Sequence, residues 1–583
     1  MLISEAGERV LAGEESWNEY PRPQLKRGNW RVLQNGWTLD GDKIRIPFPP
    51  QSLLSGYEKE VGTQLEYQCK FEAGDWKCVQ DETNGQEQSA KKRTILHFGA
   101  VDQIAEVFFN GKRLGRHEGG YLPFSYDITD VLEPDNTLKV QVTDTLSHKY
   151  PYGKQRKKRG GMWYTPVSGI WQQVWMEQVP ESYIKNIKIT PDEHSVHIAV
   201  EMNDATAKPE GKITVKLHDG SERDWNMEQG EVYIDFSEIT MASGAPYEVR
   251  MWSAQDPYLY RASIVVGEDC IETYFALRKI GIQNVEGVNR VCLNGKPIFL
   301  NGVLDQGYFC DGIYLPAEAG EYERDVLRMQ ELGFNMLRKH IKIEPECFYY
   351  YCDLHGMLVM QDMVNNGSYS FLRDTALPTI GLQKKNDTRR LVSKETKDIF
   401  IAHMLKTQEH LYNHPCIIAY TIFNEGWGQF ESDRLYEMAK EKDNTRLYDA
   451  TSGWFAQSKS DFDSYHVYFG DGRPTPKERP MLLSEFGGYS YKIPGHVFAE
   501  DKSYGYGACK EGTELAERIA KRYEELIYPV IRDGACGCVY TQVSDVEDEI
   551  NGFYTYDRKV CKVKPEWMWE IERKIAKEMG SDK

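Results

Sequence analysis

The first ~180 residues alternate apolar and polar positions in short runs broken by turn residues. Thr94-Ile95-Leu96-His97-Phe98 and Ala105-Glu106-Val107-Phe108-Phe109 are apolar runs, and Asn110-Gly111 is a tight hairpin signal. Leu138-Lys139-Val140-Gln141-Val142 alternates with period two, the mark of a strand with one buried face. These signals predict a β-sandwich over residues 1–182. Further alternating runs, Ile213 to Leu217 and Ala262 to Val266, predict a second and smaller sandwich over residues 183–280, of the size of an immunoglobulin-like domain.

After about Gly281 the pattern changes, and apolar runs alternate with helical stretches. The runs are Ile298–Leu300, Asn335–Arg338, Met357–Met360, Ile417–Phe423, Arg446–Asp449, Ser464–Tyr468, Met481–Ser484 and Cys538–Thr541. Helices are predicted between them at Tyr322–Leu332, Glu344–Leu354, Ser393–Tyr412 and Thr513–Ile531. Eight parallel strands over residues 281–583 predict a (β/α)₈ barrel, with chemistry at the C-terminal strand ends.

Composition narrows the classes. The chain has 583 residues, too many for one core, and a net charge of −18, which argues against a nucleic-acid scaffold. Hydrophobic residues make up 40% and aromatics 12%, against disorder. Tyr, Phe and Trp can fill sandwich cores or stack on sugars. No apolar stretch approaches the ~20 residues of a membrane helix, and Met1 to Arg9 lacks the basic-then-apolar pattern of an export leader, so no membrane is expected. The 12 cysteines form no CxxC pair, and Cys536-Gly537-Cys538 is too tight for ordinary tetrahedral ligation; reduced thiols in a cytoplasmic protein, without metal or cofactor, are expected.

Two carboxylates stand at strand ends. The fourth run leads into Asn424-Glu425-Gly426-Trp427, and the seventh into Ser484-Glu485-Phe486-Gly487-Gly488. Glycoside hydrolysis needs such a pair: one protonated to donate to the leaving oxygen, one ionised to attack the anomeric carbon. Carboxyls ~5–5.5 Å apart give retention of configuration, and ~6.5–9.5 Å gives inversion.

These residues resemble the acid/base and nucleophile motifs of glycoside hydrolase family 2, the family of β-galactosidases, β-glucuronidases and β-mannosidases. The likeness runs along nearly the whole chain. His117-Glu118-Gly119-Gly120-Tyr121 and Trp163-Tyr164-Thr165-Pro166-Val167-Ser168-Gly169-Ile170-Trp171 resemble its N-terminal jelly-roll, and Asp256-Pro257-Tyr258-Leu259-Tyr260 the close of its immunoglobulin-like domain. Leu293-Asn294-Gly295-Lys296-Pro297 resembles the hairpin before its barrel. The resemblance implies Glu425 as general acid/base, with a raised pKa, and Glu485 as nucleophile. It implies Asn424 on the sugar 2-hydroxyl, and His340, His466 and Tyr468 around the sugar. Asp305 is expected to hold a hydroxyl or cap a turn. Trp427, Trp454, Tyr468 and Tyr489 are candidate stacking platforms, because the eighth run ends Tyr540-Thr541-Gln542, where many relatives carry Trp.

The departures bear on the substrate. Family glucuronidases grip the substrate carboxylate with Asn-Xaa-Lys before a Gly; here the stretch is Glu549-Ile550-Asn551-Gly552. The second run ends Arg338-Lys339-His340-Ile341-Lys342. Arg338 is expected to pair with the catalytic carboxylates, and Lys339 is a candidate grip for an anionic sugar. The basic run Lys154-Gln155-Arg156-Lys157-Lys158-Arg159 reads as a solvated loop or as a cationic reach toward the barrel mouth. The expected activity is that of a retaining exo-β-glycosidase on a terminal β-galactoside-type sugar, neutral galactoside or galacturonide. A β-glucuronidase with another carboxylate grip, or a non-catalytic carbohydrate-binding protein, is the alternative. The expected partner is a carbohydrate, and homo-oligomerisation stays open.

Overall fold

The computed structural model describes residues 2–74, 77–78, 92–241, 243–379, 382, 386–389, 392–468, 470 and 472–580. The first sandwich faces a five-stranded antiparallel sheet, in the order Phe124–Asp127, Lys92–Phe98, Val174–Pro180, Asn29–Val32 and Lys77–Cys78, against a six-stranded one. The six-stranded sheet carries Gln64–Glu72 and Asp135–Thr143 at its centre. Alternate residues point inward, so Trp37, Tyr67, Phe98, Val107, Phe109, Val140 and Met176 share one buried core. The second sandwich packs sheets of three and four strands over Ile187, Ile198, Ile213, Tyr260, Ile264 and Phe275. A three-stranded meander, Ile280–Val285, Val288–Leu293 and Lys296–Pro297, leads into the barrel.

The barrel strands are β1 (Leu300–Asp305), β2 (Met336–Lys339), β3 (Leu358–Asp362), β4 (Ile417–Asn424), β5 (Leu447–Ser452), β6 (Asp463–Val467), β7 (Met481–Phe486) and β8 (Ala535–Tyr540). They form an eight-stranded sheet in the order β5-β4-β3-β2-β1-β8-β7-β6, every neighbouring pair parallel. No ladder joins β5 to β6 among the described residues. The edge of β5 is met instead by the segment before β6: Asp461 N–H donates to Tyr448 O at 2.9 Å, Tyr448 N–H to Asp461 Oδ2 at 2.7 Å, and Ala450 N–H to Ser460 Oγ at 3.2 Å.

Helices pack outside, as buried parallel strands require. Lys394–His410 begins at Ser393, whose hydroxyl accepts Thr396 N–H at 3.1 Å. Glu346–His355 ends on Gly356, whose φ of 73° is the left-handed stop that glycine supplies. The helix expected over Thr513–Ile531 is interrupted by a π turn at Tyr523–Ile527. The first strand starts and ends later than the Ile298–Leu300 run, so Asp305 is its last residue and not a residue beyond it. A short helix, Glu5–Leu11, is additional: Ser4 caps it and donates its hydroxyl to Asp311 Oδ2 at 2.6 Å, docking the N-terminal segment on the barrel. No helix among the described residues is long and apolar enough to cross a membrane.

Candidate active site

The C-terminal ends of β2, β3, β4, β6 and β7 converge on one cluster. Arg338, fully buried on β2, organises it. Its guanidinium donates to Asp362 Oδ1 at 3.0 Å, Ser484 O at 2.9 Å, Glu485 Oε1 at 3.1 Å and Asn424 Oδ1 at 3.0 Å. One planar cation thus fixes β3, β4 and β7 against each other.

Glu485 is 4% exposed. Burial alone would raise its carboxyl, but His466, His340 and Arg338 outweigh burial and hold it down at about 2. Burial drives His340 itself well below its ordinary range, whereas Asp362 and Glu485 keep Arg338 charged. Glu425, 9% exposed, sits one residue past β4 with a φ of 52°. That left-handed backbone is sparsely populated for a non-glycine residue, and Glu425 N–H is anchored on Ser452 O at 2.9 Å.

Two side chains from the β6 end bridge the carboxylates. His466 Nδ1 lies 2.9 Å from Glu425 Oε1, and its Nε2 lies 2.8 Å from Ser452 Oγ and 3.7 Å from Glu485 Oε1. Tyr468 donates to Glu485 Oε2 and lies 3.4 Å from Glu425 Oε1. One oxygen of Glu425, one of Glu485 and one ring nitrogen of His466 all fall within 4.8 Å of one another. That spacing would also suit a cation, but hydrogen bonds within the cluster already engage these atoms.

His340 Nδ1 lies 2.7 Å from Asp362 Oδ2, while its buried Nε2 has no hydrogen-bond partner. A buried ring nitrogen without a partner is an exception that calls for an explanation. Trp427 lines a narrow cavity with Lys154, Met162, Trp163, Tyr369, Asn424 and Glu425. Its indole donates to Tyr152 OH at 3.1 Å, which fixes the ring edge. Trp454 meets His466 edge to face at 5.6 Å. Tyr489 lies next to the β7 turn, under Arg518 at 5.7 Å.

Lys339 and Asp305 are brought to each other. Lys339 Nζ donates to Asp305 Oδ2 at 2.6 Å and Glu344 Oε1 at 2.9 Å, and sits 4.2 Å over the Phe348 ring. It faces the helix layer, because neighbouring strand residues point to opposite faces and Arg338 occupies the inner one. The expected carboxylate grip at Lys339 is therefore replaced by a structural ion pair. Lys342 is likewise taken, by Gly307 O, Tyr314 O and Glu344 at 2.6 to 2.9 Å.

Three contributors escaped the sequence reading. Asp362 ends β3 as the other strand-end acids end theirs, a signal available in Met360-Gln361-Asp362. Tyr506 stacks on Tyr468 at 4.3 Å from a loop with no distinguishing pattern. Trp163 reaches the cavity from the first sandwich, where only a family motif marked it. After β8, Glu549 accepts Asn551 Nδ2–H at 3.0 Å and the Tyr164 hydroxyl, and Asn551 Oδ1 accepts Gln542 Nε2–H at 2.9 Å.

Comparison with known proteins gives three family matches along the chain. The description "Glycosyl hydrolase 2 galactose-binding domain-like" matches residues 60–176, "Glycosyl hydrolases family 2" residues 182–278, and "Glycosyl hydrolases family 2, TIM barrel domain" residues 284–472. A β-galactosidase of Thermoanaerobacter pseudethanolicus is 24% identical over 71% of this chain and 56% of its own length. A β-glucuronidase of Bacteroides fragilis is 23% identical over 82% of this chain and 68% of its own. The chain spans 42–56% of the length of the first three β-galactosidases it matches. In fold it resembles a β-D-glucuronidase of Dictyoglomus thermophilum, with TM-score 0.71, 16% identity and 95% and 98% of the two chains covered. It also resembles a β-galacturonidase of Eisenbergiella tayi bound to galacturonate, with TM-score 0.65, 16% identity and 95% and 99% covered. With consecutive matches across both sandwiches and the barrel that carries Glu425, the chain belongs to glycoside hydrolase family 2.

Proposed function

We propose that this chain is a retaining exo-β-glycosidase. The observation that carries the reading is the close approach of the two carboxylates, with oxygens of Glu425 and Glu485 within 4.8 Å of each other. An approach this close lies on the retaining side of the division, short of the ~6.5–9.5 Å at which an inverting enzyme sets its pair. Glu485, held ionised by Arg338, attacks the anomeric carbon. Glu425 gives its proton to the leaving oxygen, then takes one from the water that hydrolyses the glycosyl-enzyme. Asn424, its carbonyl oxygen fixed by Arg338, turns its amide toward the 2-hydroxyl, and His340 Nε2 is free to bond another hydroxyl. Trp163 and Met162, from the first sandwich, line the narrow cavity beside Asn424 and Glu425, which supports action at a chain end.

The substrate class is a terminal β-galactoside or β-galacturonide, with a β-glucuronide as the second reading. Glu549 and Asn551 engage each other and Gln542, an arrangement that supports a grip different from Asn-Xaa-Lys. Retention of both carboxylates disfavours a purely carbohydrate-binding role. A cytoplasmic site of action and a homo-oligomer belong to the same reading; buried, unpaired Cys352, Cys416, Cys536 and Cys538 support the former.

Glu485→Gln should lower kcat on nitrophenyl β-glycosides by at least ~10³-fold while thermal unfolding stays cooperative. NMR of the first-formed sugar from the wild-type enzyme should display the β-anomer. An α-anomer, or full turnover by Glu485→Gln, would sink the mechanism.

A further inference from the structure

The first sandwich sends one loop into the barrel mouth, and that loop carries a cation. Lys154 lines the cavity of Asn424, Glu425 and Trp427, although it belongs to a different domain. Its position is built. Gly153 before it holds a φ of 61° against the hydroxyls of Tyr121 and Tyr314, where a Cβ would come within 2.7 and 2.9 Å. Lys154 O accepts Tyr164 N–H at 3.0 Å, and the side chain of Gln155 next to it is fully buried. The same loop is pinned to the segment after β8. Tyr164 donates its hydroxyl to Glu549, Thr165 N–H donates to Glu547 Oε1 at 2.9 Å, and Arg159 pairs with Asp548 at 3.3 Å.

The charge around this cavity is unevenly assigned. Arg338 is bound to Asp362 and Glu485, Lys339 to Asp305 and Glu344, and Lys342 to Glu344 and two carbonyls. Lys154 is half-buried and its ammonium is held in no ion pair among the described residues, yet its field acts on Glu485, His340 and Glu549. Glu549 accepts from Tyr164 and Asn551, and no ion pair joins Lys154 to it among the described residues. A cation that acts on the nucleophile stands close to the sugar bonded there.

We infer that Lys154 is a specificity-determining residue that binds a carboxylate on the glycone, so that the pocket favours β-hexuronides over neutral β-hexosides. The inference rests on the retaining-glycosidase reading and deepens it. The cation arrives from the jelly-roll loop, in place of the barrel lysine at which the sequence placed it.

The test compares kcat/KM on 4-nitrophenyl β-galacturonide, β-glucuronide and β-galactoside for wild type, Lys154→Ala, Lys154→Met and Lys154→Arg. Losing one charge-assisted hydrogen bond should lower the ratio of uronide to galactoside kcat/KM by about 10- to 100-fold in the Ala and Met variants. Lys154→Arg should restore part of that ratio. A loss of equal size on all three substrates would make Lys154 a structural counter-charge and overturn the inference. Wild-type turnover of the galactoside but of neither uronide would also overturn it, leaving the retaining mechanism standing. Turnover of none of the three would overturn that mechanism and the inference with it. Should the Ala variant unfold, the ratio in the Met and Arg variants decides.

Discussion

At the scale of single residues, the site is an exercise in keeping one carboxylate ionised inside a protein. Glu485 is buried, yet its folded pKa of about 2 lies below the ordinary 4.5 because the cationic and polar groups around it outweigh desolvation. A depressed folded value means that the contribution to stability is present above about pH 4.5 and drains away as pH falls toward 2. Glu485→Gln has no such dependence. Denaturant unfolding of the two proteins at pH 7, 5 and 4 should therefore give a stability difference that moves in favour of Glu485→Gln as pH falls; a constant difference would contradict the electrostatics. The same scale explains why Lys339 misled. Arg338 and Lys339 are adjacent cations in the sequence, but strand alternation gives them opposite faces, one toward Glu485 and the other toward Glu344. That alternation was open to the sequence reading; the acids waiting on the outer face were not.

At the scale of elements, the two strand-end glutamates depend on the turns beside them. Gly487, just after β7, has a φ of 79°, and a Cβ there would stand 2.2 Å from the Tyr540 ring on β8. Neither the backbone nor the ring can absorb that, so Gly487→Ala should cost about 1–3 kcal/mol and lower kcat, read by thermal unfolding and steady-state assay. Unchanged stability would mean that β8 yields more readily than its burial implies. The barrel strands were legible because buried parallel strands are unbroken apolar runs such as Ile417–Phe423. Their ends were less so: β1 ends on Asp305, beyond the apolar run that announced it. The helix Glu5–Leu11 went unread, since about two amphipathic turns give too little periodicity to stand out.

At the scale of the whole molecule, the domains are bound by buried polar joints. Arg27 of the first sandwich donates to Asp269 of the second at 3.0 and 2.8 Å and reaches Glu177 at 3.4 Å, all three side chains buried. Trp252 of the second sandwich donates to Asp353 O in the barrel at 2.8 Å. Removing one partner strands the others' charge, so Arg27→Ala should destabilise the protein by about 3–5 kcal/mol in urea unfolding. A change below about 1 kcal/mol would mean that water enters the joint and replaces the guanidinium. Such joints link residues distant in the chain, which is why the first sandwich's role at the barrel mouth was only half visible: the cationic run stood out, its destination did not.

The junction of β5 and β6 has a further consequence. Elsewhere the ring is closed by main-chain ladders, but here Ser460 and Asp461 meet the β5 edge, and Ser452 and Ser464 reach across to His466 and Asp449 at 2.8 and 2.7 Å. Opening the ring at this joint requires breaking a handful of such bonds, each worth about 1 kcal/mol net. Local fluctuation should therefore concentrate there, and the residues it would carry along are His466 and Tyr468. His466 and Tyr468, which bridge Glu425 and Glu485, thus ride on the one joint of the ring that no ladder closes among the described residues, so motion there is expected to change the spacing of the two carboxylates first.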